Sequence, residues 1–497
     1  MPFANPFVSF VVRPFVSRGL RRAVLGGLLY PLLALLATPA LAQSNLPPEV
    51  EAALARAKVP QDAVAVVLVD AQGKAAPRLN HRSTVPMNPA SVMKLVTTYA
   101  ALDLLGPAYT WNTPVYIDGS VREGTLKGNV TIQGQGDPKL VLERLWLLLR
   151  RVQGLGIHTI DGDIVLDRSA WDVAPTDPAS FDGEPLRPYN AAPDALLINF
   201  KSIVLTFAPE PGGKVARVQM DPPLAGVQVP TTVPLLTTDC TDYRGALKAD
   251  FSDPNRIRFA GGYPLSCGER IWPVAYADPA SFAIRTVQGL WASMGGKLTG
   301  SVRTGNASAT TIAAGPALET RSAPLAEIIR DINKYSNNVM AQQVFLTLGR
   351  LPQASESAGV TPSNFAACRA VVQRWWTDRL NGVAPPVLDN GSGLSRQERI
   401  SAEALVRLLQ TAYASPLMPE LMASLPITGV DGTLKRMQTN AQSAAHLKTG
   451  SLNDVVAVAG YVHGRNGNHA VLVAIINHPN AKAARPAIDA LVDWAAR

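Results

Sequence analysis

Residues 63–69, Ala-Val-Ala-Val-Val-Leu-Val, form an unbroken apolar run that stops at the turn Asp70-Ala71-Gln72-Gly73. That pattern predicts an early β-strand. Asn88-Pro89 then breaks the chain, and Val92, Leu95, Val96, Tyr99, Leu102 and Leu105 recur at helical spacing up to Gly106. They predict a helix over residues 91–105 that opens on a serine. From 108 to 195 short β-like runs alternate with turns, 129–132 and 163–166 among them, and one helix is expected near 140–155. Residues 195–273 change to proline- and valine-rich strands with almost no helical period, as expected of a small all-β insert. A helix follows at 282–294, strands at 297–302, and a Pro/Gly stretch near 314–324 reads as a boundary. Beyond it Leu325, Ile328, Ile329 and Ile332 mark one helix, Val339, Val344 and Phe345 a second, and 402–413 another. The last hundred residues predict an antiparallel hairpin, 455–462 and 470–476 about the turn 464–467, and a closing helix over 483–496. No internal repeat interrupts the chain.

Length and composition extend this picture. The chain has 497 residues, so two or three domains are expected. With 38 Gly and 40 Pro, a mixed α and β protein fits better than a bundle of long helices. Arg13, Arg18, Arg21 and Arg22 precede an apolar stretch over 23–36 that closes on Ala40-Leu41-Ala42. This three-part layout predicts a secretory leader over 1–42, removed after Ala42. An uncleaved membrane anchor fits less well, because the run is shorter than the ~20 residues that span a bilayer and Pro31 and Pro39 interrupt it. Loss of four arginines lowers the net charge from +8 to +4 (8 − 4), which gives no reason to expect nucleic-acid binding. Cys240 and Cys267 share one turn-rich segment and, after export, predict a disulfide. Cys368 lies in a helical apolar pattern and predicts a buried, structural thiol. Without CxxC or HExxH, neither a metal nor another cofactor is expected.

Three short motifs carry the chemistry. Ser91-Val92-Met93-Lys94 places a hydroxyl and an amine on one helix face. A serine is a weak nucleophile until a base takes its proton, and a lysine kept neutral by burial and a nearby cation can do so. Alone the pattern is weak, since roughly one or two copies arise by chance in a chain of this size, and it reads equally as a helix cap with a solvated lysine. Ser336-Asn337-Asn338 alone reads as a capping turn, and Lys448-Thr449-Gly450-Ser451 as an exposed edge strand ending at a glycine. Their order, one opening a helix, one between helices and one on a strand, is that of the penicillin-recognising enzymes.

The flanking text is narrower still: Asn88 to Leu95, Ile329 to Asn338, Asn390-Gly391-Ser392-Gly393-Leu394-Ser395-Arg396, and His446 to Gly450. Over essentially the whole mature chain it resembles the D-alanyl-D-alanine carboxypeptidase/endopeptidase family, the class C low-molecular-mass penicillin-binding proteins. The resemblance implies an α/β fold: a β-lactamase/transpeptidase-like domain, an antiparallel sheet flanked by helices, split by two inserted smaller domains. The split domain would take 43–107 and 317–497, the first insert 108–195 and 277–316, and the inner, mainly β insert 196–276. The long interval from Lys94 to Ser336 fits this, whereas a class A β-lactamase has closer motifs and a Glu-x-x-Leu-Asn that is absent here.

For function the resemblance implies a serine peptidase acting on peptidoglycan peptides in the periplasm, as a carboxypeptidase and endopeptidase acylated by β-lactam antibiotics. Ser91 would be the nucleophile and Lys94 its base, Ser336 a proton relay, and Asn338 the residue that orients Lys94 and the substrate amide. Lys448 and Thr449 of the Lys-Thr-Gly motif, with Gly450, would hold the terminal carboxylate, and the N–H groups of Ser91 and Ser451 the oxyanion. Asp167, in Val165-Leu166-Asp167-Arg168-Ser169-Ala170-Trp171, matches a segment that sends a carboxylate into the pocket, and Arg396 would line the same cleft. From the residues alone a strand-end turn for Asp167 and a surface ion pair for Arg396 fit as well. Asn390 stands where some relatives carry Asp. Weak or no membrane association is expected once the leader is gone. The competing class is a wall-binding or sensor protein that is acylated by β-lactams without turnover.

Overall fold

The apolar run near residue 64 becomes the strand Val64–Asp70, fourth of five in a fully antiparallel sheet. The order is Ala445–Ser451, Val455–His463, His469–Asn477, Val64–Asp70 and Leu79–His81. Successive side chains alternate between two separate cores, which is why the strand needs no polar positions. Val64, Val66 and Leu68 pack with the helices Pro48–Arg56 and Arg485–Ala495. Ala65, Val67 and Val69 face the other side, toward Lys94–Leu105, Leu325–Tyr335, Asn338–Leu348, Phe365–Arg379 and Ala402–Tyr413. The computed structural model describes residues 46–351, 362–465 and 467–497. The expected leader, 1–42, lies outside them.

Between residues 112 and 321 the chain builds two further sheets that share one core. The first has seven strands, mixed parallel and antiparallel, centred on Asn112–Arg122 and Thr125–Gln133 and packed with the helices Leu142–Gly154 and Phe282–Ser293. Nested within it in sequence, residues 202–275 supply a second sheet of five strands and a small two-stranded ribbon. Cys240 and Cys267 are joined by a disulfide there. The stretch near 314–324 that reads as a boundary contains a strand, Leu318–Arg321, paired with Asn112–Arg122. Its four residues alternate buried and exposed, too short a signal to stand out between Pro316 and Pro324.

Polar side chains on the fully buried helix Asn338–Leu348 fasten the inserted part to the catalytic body. Gln343 exchanges hydrogen bonds with the backbone of Asp194, its Oε1 accepting from N–H at 3.0 Å and its Nε2 donating to C=O at 2.9 Å. Thr347 accepts the Trp111 indole N–H at 2.8 Å, and Ser322 Oγ accepts the Trp111 backbone N–H at 2.9 Å, so entry and exit of the insertion are tied together. Buried polar groups cost stability unless paired; these are paired across the junction. Cys368 is buried against the same helix, and burial pushes its thiol up to about 11.

The architecture is therefore mixed α/β, a transpeptidase-like domain carrying insertions.

Candidate active site

Ser91 does not begin an α-helix. It sits in a 3-10 turn, Ala90–Met93, that leads into Lys94–Leu105. Three residues per turn eclipse positions i and i+3, and the Lys94 ammonium donates to Ser91 Oγ at 2.9 Å. The turn is held from behind. Asn88 and Asn477 exchange amide–backbone hydrogen bonds at 2.8 and 2.9 Å, Asn88 Nδ2 donates to Ser395 O at 2.9 Å, and Asn88 Oδ1 accepts from Ala90 N–H at 2.8 Å. Ala90 takes a positive φ of 46°, a strained conformation for alanine immediately before the serine.

Two glycines let other segments reach this turn. A Cβ on Gly450 would lie 2.4 Å from Pro89 O and 3.2 Å from Ser91 N, so the strand Ala445–Ser451 can lie against the serine only with glycine there. Gly393, at φ 78°, would bring a Cβ to 2.0 Å from Ala90 O. Both approaches are backbone against backbone, which leaves no flexible group to yield.

Ser336 ends the helix Leu325–Tyr335 in the left-handed conformation, φ 57°, and Asn337 caps the next helix by accepting from Met340 N–H at 3.0 Å. The capping turn thereby projects Ser336 and Asn338 to the same place. Asn338 Oδ1 accepts from Lys94 at 2.7 Å, while its Nδ2 donates to Tyr189 O, in the inserted part, at 3.2 Å. Lys448 donates to Ser336 Oγ at 3.0 Å and to its neighbour's carbonyl, Thr449 O, at 2.7 Å. Thr449 Oγ1 lies 2.7 Å from Thr433 Oγ1, and Ser451 is exposed at the strand end.

Both ammonium groups are wholly buried. Burial lowers Lys94 well below its ordinary value, the positive charge of Lys448 lowers it further, and Glu398 opposes both. Burial alone brings Lys448 down to about 7. The structure thus gathers Ser91, Lys94, Ser336, Asn338, Lys448, Thr449 and Gly450 from three distant segments.

Asp167 is not among them. Its carboxylate is buried at the end of Ile164–Asp167 and accepts from Gln133 Nε2 at 3.1 Å, Ser169 N–H at 2.9 Å and Ala307 N–H at 3.0 Å. Those donors, all in the inserted part, occupy both of its oxygens, so the strand-end turn describes it. Arg396 forms a half-exposed ion pair with Asp454 at 3.0 Å and lies 4.7 Å over the ring of Phe181. Phe181 packs with Leu394 and Leu452 against Ala90, which places Arg396 at the rim beside the serine turn.

Sequence reasoning missed two contributors. Ser392 offers its carbonyl to Lys94 at 2.5 Å. Glu398 is fully buried and pushed up to about 7 by its burial. Ser392 lies within the Asn390 to Arg396 segment, but a carbonyl leaves no trace in side-chain identity. Glu398, between Gln397 and Arg399, reads as solvated surface.

The model of the D-Ala-D-Ala carboxypeptidase 3 (S13) family matches residues 46–497. This chain belongs to that family. Among S13-like relatives, the D-alanyl-D-alanine carboxypeptidase of Actinomadura sp. (strain R39) is 28% identical over 406 residues, 78% of this chain and 73% of that one. The D-alanyl-D-alanine carboxypeptidase DacB of Haemophilus influenzae is 24% identical over 403 residues, covering 78% and 80%. The crystal structure of penicillin binding protein 4 (dacB) from H. influenzae superposes with a TM-score of 0.66 at 21% identity, covering 89% of this chain and 99% of that one. Membership of the S13 family makes the chain a peptidase of the D-Ala-D-Ala carboxypeptidase class, within the penicillin-binding group.

Proposed function

We propose that this chain is a serine-type D-Ala-D-Ala carboxypeptidase and D,D-endopeptidase of peptidoglycan, working through an acyl-enzyme on Ser91 in the periplasm. One observation carries the reading: three acceptors surround the buried Lys94 nitrogen, Ser91 Oγ at 2.9 Å, Asn338 Oδ1 at 2.7 Å and Ser392 O at 2.5 Å. A neutral amine has two N–H groups. Asn338 and the Ser392 carbonyl accept them, which aims the lone pair at the serine hydroxyl. Lys94 then takes the Ser91 proton as the oxygen bonds to the carbonyl carbon of the penultimate D-alanine. Backbone N–H groups of Ser91 and Ser451 would hold the oxyanion. The C–N bond breaks as the departing amine takes a proton through Ser336, which Lys448 contacts. Water attacks the ester, returns a proton to Ser91 and frees the shortened peptide. Lys448 and Thr449 hold the terminal carboxylate, and Gly450 gives them access to the serine.

The expected leader over 1–42 supports export, and the motif resemblance supports cross-link cleavage beside terminal trimming. The H. influenzae fold relative has also been solved complexed with a novel β-lactam, in keeping with acylation of Ser91 by such drugs. The test is Ser91→Ala, assayed for D-alanine release from wall peptides and for covalent labelling by a fluorescent penicillin. Both should vanish, and retained labelling would remove Ser91 from its role. A wild type that is labelled yet never releases D-alanine or opens cross-links would instead make the chain a non-turnover sensor.

A further inference from the structure

Glu398 is a buried carboxylate whose two oxygens have unlike surroundings. Oε1 accepts three successive backbone N–H groups, from Asp389 at 3.2 Å, Asn390 at 3.2 Å and Gly391 at 2.8 Å. Oε2 is buried without a hydrogen-bond partner. A loop anchor needs only the first oxygen, and an amide would supply it without burying a charge. Ser392 follows directly on the three anchored residues, and its carbonyl accepts from Lys94. The loop also packs behind the serine through Gly393 and Ala90. Glu398 thus holds the segment that orients Lys94, and its carboxylate acts on Lys94 through space.

We propose that Glu398 is a positioning residue for the Ser91–Lys94 pair, fixing the Ser392 carbonyl through the 389–391 amides and supplying a buried negative charge that acts on Lys94. The charged groups facing it are Asp389 on its own loop, which disfavours its ionisation, and Lys94 from the serine turn, which favours it. Those facing Lys94 are Lys448, which drives its proton off, and Glu398, which retains it. With Glu398 at about 7, its charge is present over the alkaline half of the neutral range and fades below it. It thereby moderates the deprotonation that burial and Lys448 enforce.

The proposal rests on Ser91 and Lys94 acting as nucleophile and base, so the experiment includes both. Penicillin acylation rates and kcat/KM for D-alanine release would be followed from pH 5 to 9 for wild type, Glu398→Gln, Glu398→Ala and Ser91→Ala. Glu398→Gln keeps an acceptor for the three N–H groups but removes the charge, so Lys94 should deprotonate more readily and the acid limb should move to lower pH. Glu398→Ala also frees the loop, and its plateau should fall up to about 100-fold, the loss that a misplaced catalytic group brings. An acid limb of Glu398→Gln that stays in place or moves to higher pH, whatever its plateau, overturns the proposal. Labelling of Ser91→Ala would overturn the underlying serine reading instead, so the two failures are distinguishable. Should Glu398→Ala fail to fold, the Glu398→Gln profile alone decides.

Discussion

Lys448→Met should make the protein more stable and inactive, and the gain should depend on pH in one direction. The wild-type ammonium is wholly buried and lowered from 10.5 to about 7 by that burial. A lysine lowered on folding contributes its full stability above 10.5, loses it steadily as pH falls, and has lost all of it below about 7. At ~1.4 kcal/mol per pH unit this is about 5 kcal/mol at neutral pH. Methionine has similar length and no charge to bury, but the change forfeits the hydrogen bonds to Ser336 Oγ and Thr449 O, about 1 kcal/mol each. The net gain at pH 7 is then roughly 2–3 kcal/mol, within the range seen when buried charges give way to apolar side chains. Thermal melts of both proteins from pH 6 to 10.5, read on the transition that includes the five-stranded antiparallel sheet, would measure it. The variant should melt higher at pH 7, the two midpoints should cross at about pH 9, and above that the wild type, which keeps its two hydrogen bonds, should melt higher. A difference that does not change with pH, or a variant that melts lower at pH 7, would refute the claim that Lys448 is held against its preference for water.

Gly450→Ala places a methyl group 2.4 Å from Pro89 O and 3.2 Å from Ser91 N, both backbone atoms. The strand must retreat from the serine, and kcat/KM should drop by about 100-fold, with an overpacking cost of ~1–3 kcal/mol; acylation within twofold of wild type would show that the close approach is dispensable. Replacing Cys240 and Cys267 together by serine opens a loop of 27 residues, worth about 3.5 kcal/mol in chain entropy. Limited proteolysis should then cut within 202–275 while penicillin labelling is unchanged, since the disulfide ties only that segment to itself; lost labelling would contradict this.

Periodicity made much of the scaffold readable because the helices and strands bury continuous apolar faces. The helix over 402–413 is present with those limits as Ala402–Tyr413, and the expected hairpin is Val455–His463 with His469–Asn477. The helix drawn from Ser91 failed at its first turn, where Asn88, Asn477 and Gly393 impose a 3-10 geometry that local propensity does not encode. Local text also leaves Asp167 open between a cleft carboxylate and a strand-end turn. A carboxylate at a strand end looks the same whether it faces a cleft or its own sheet, and only the donors around it decide.

The site was legible where chemistry depends on side-chain identity and illegible where it depends on backbone or burial. Ser91, Lys94, Ser336, Asn338 and Lys448 are named by motifs because the proposed chemistry needs each to be that residue type to donate, accept or hold a proton. The Ser392 carbonyl could belong to any residue, and only Gly393 beside it hints at the unusual path. Glu398 is harder still, since its place beside Lys94 depends on two segments about 300 residues apart meeting in a region that excludes water. Lys94, Lys448 and Glu398 form one balance in that region: two cations pushed toward neutrality and a carboxyl pushed the same way. Lys94 is the member that feels both of the others, Lys448 lowering its pKa and Glu398 raising it, and Glu398 in turn feels Lys94, in a region with little solvent screening. On the proposed mechanism the acid limb of the reaction should therefore follow Lys94 as burial, Lys448 and Glu398 set it, rather than the Ser-x-x-Lys pair alone.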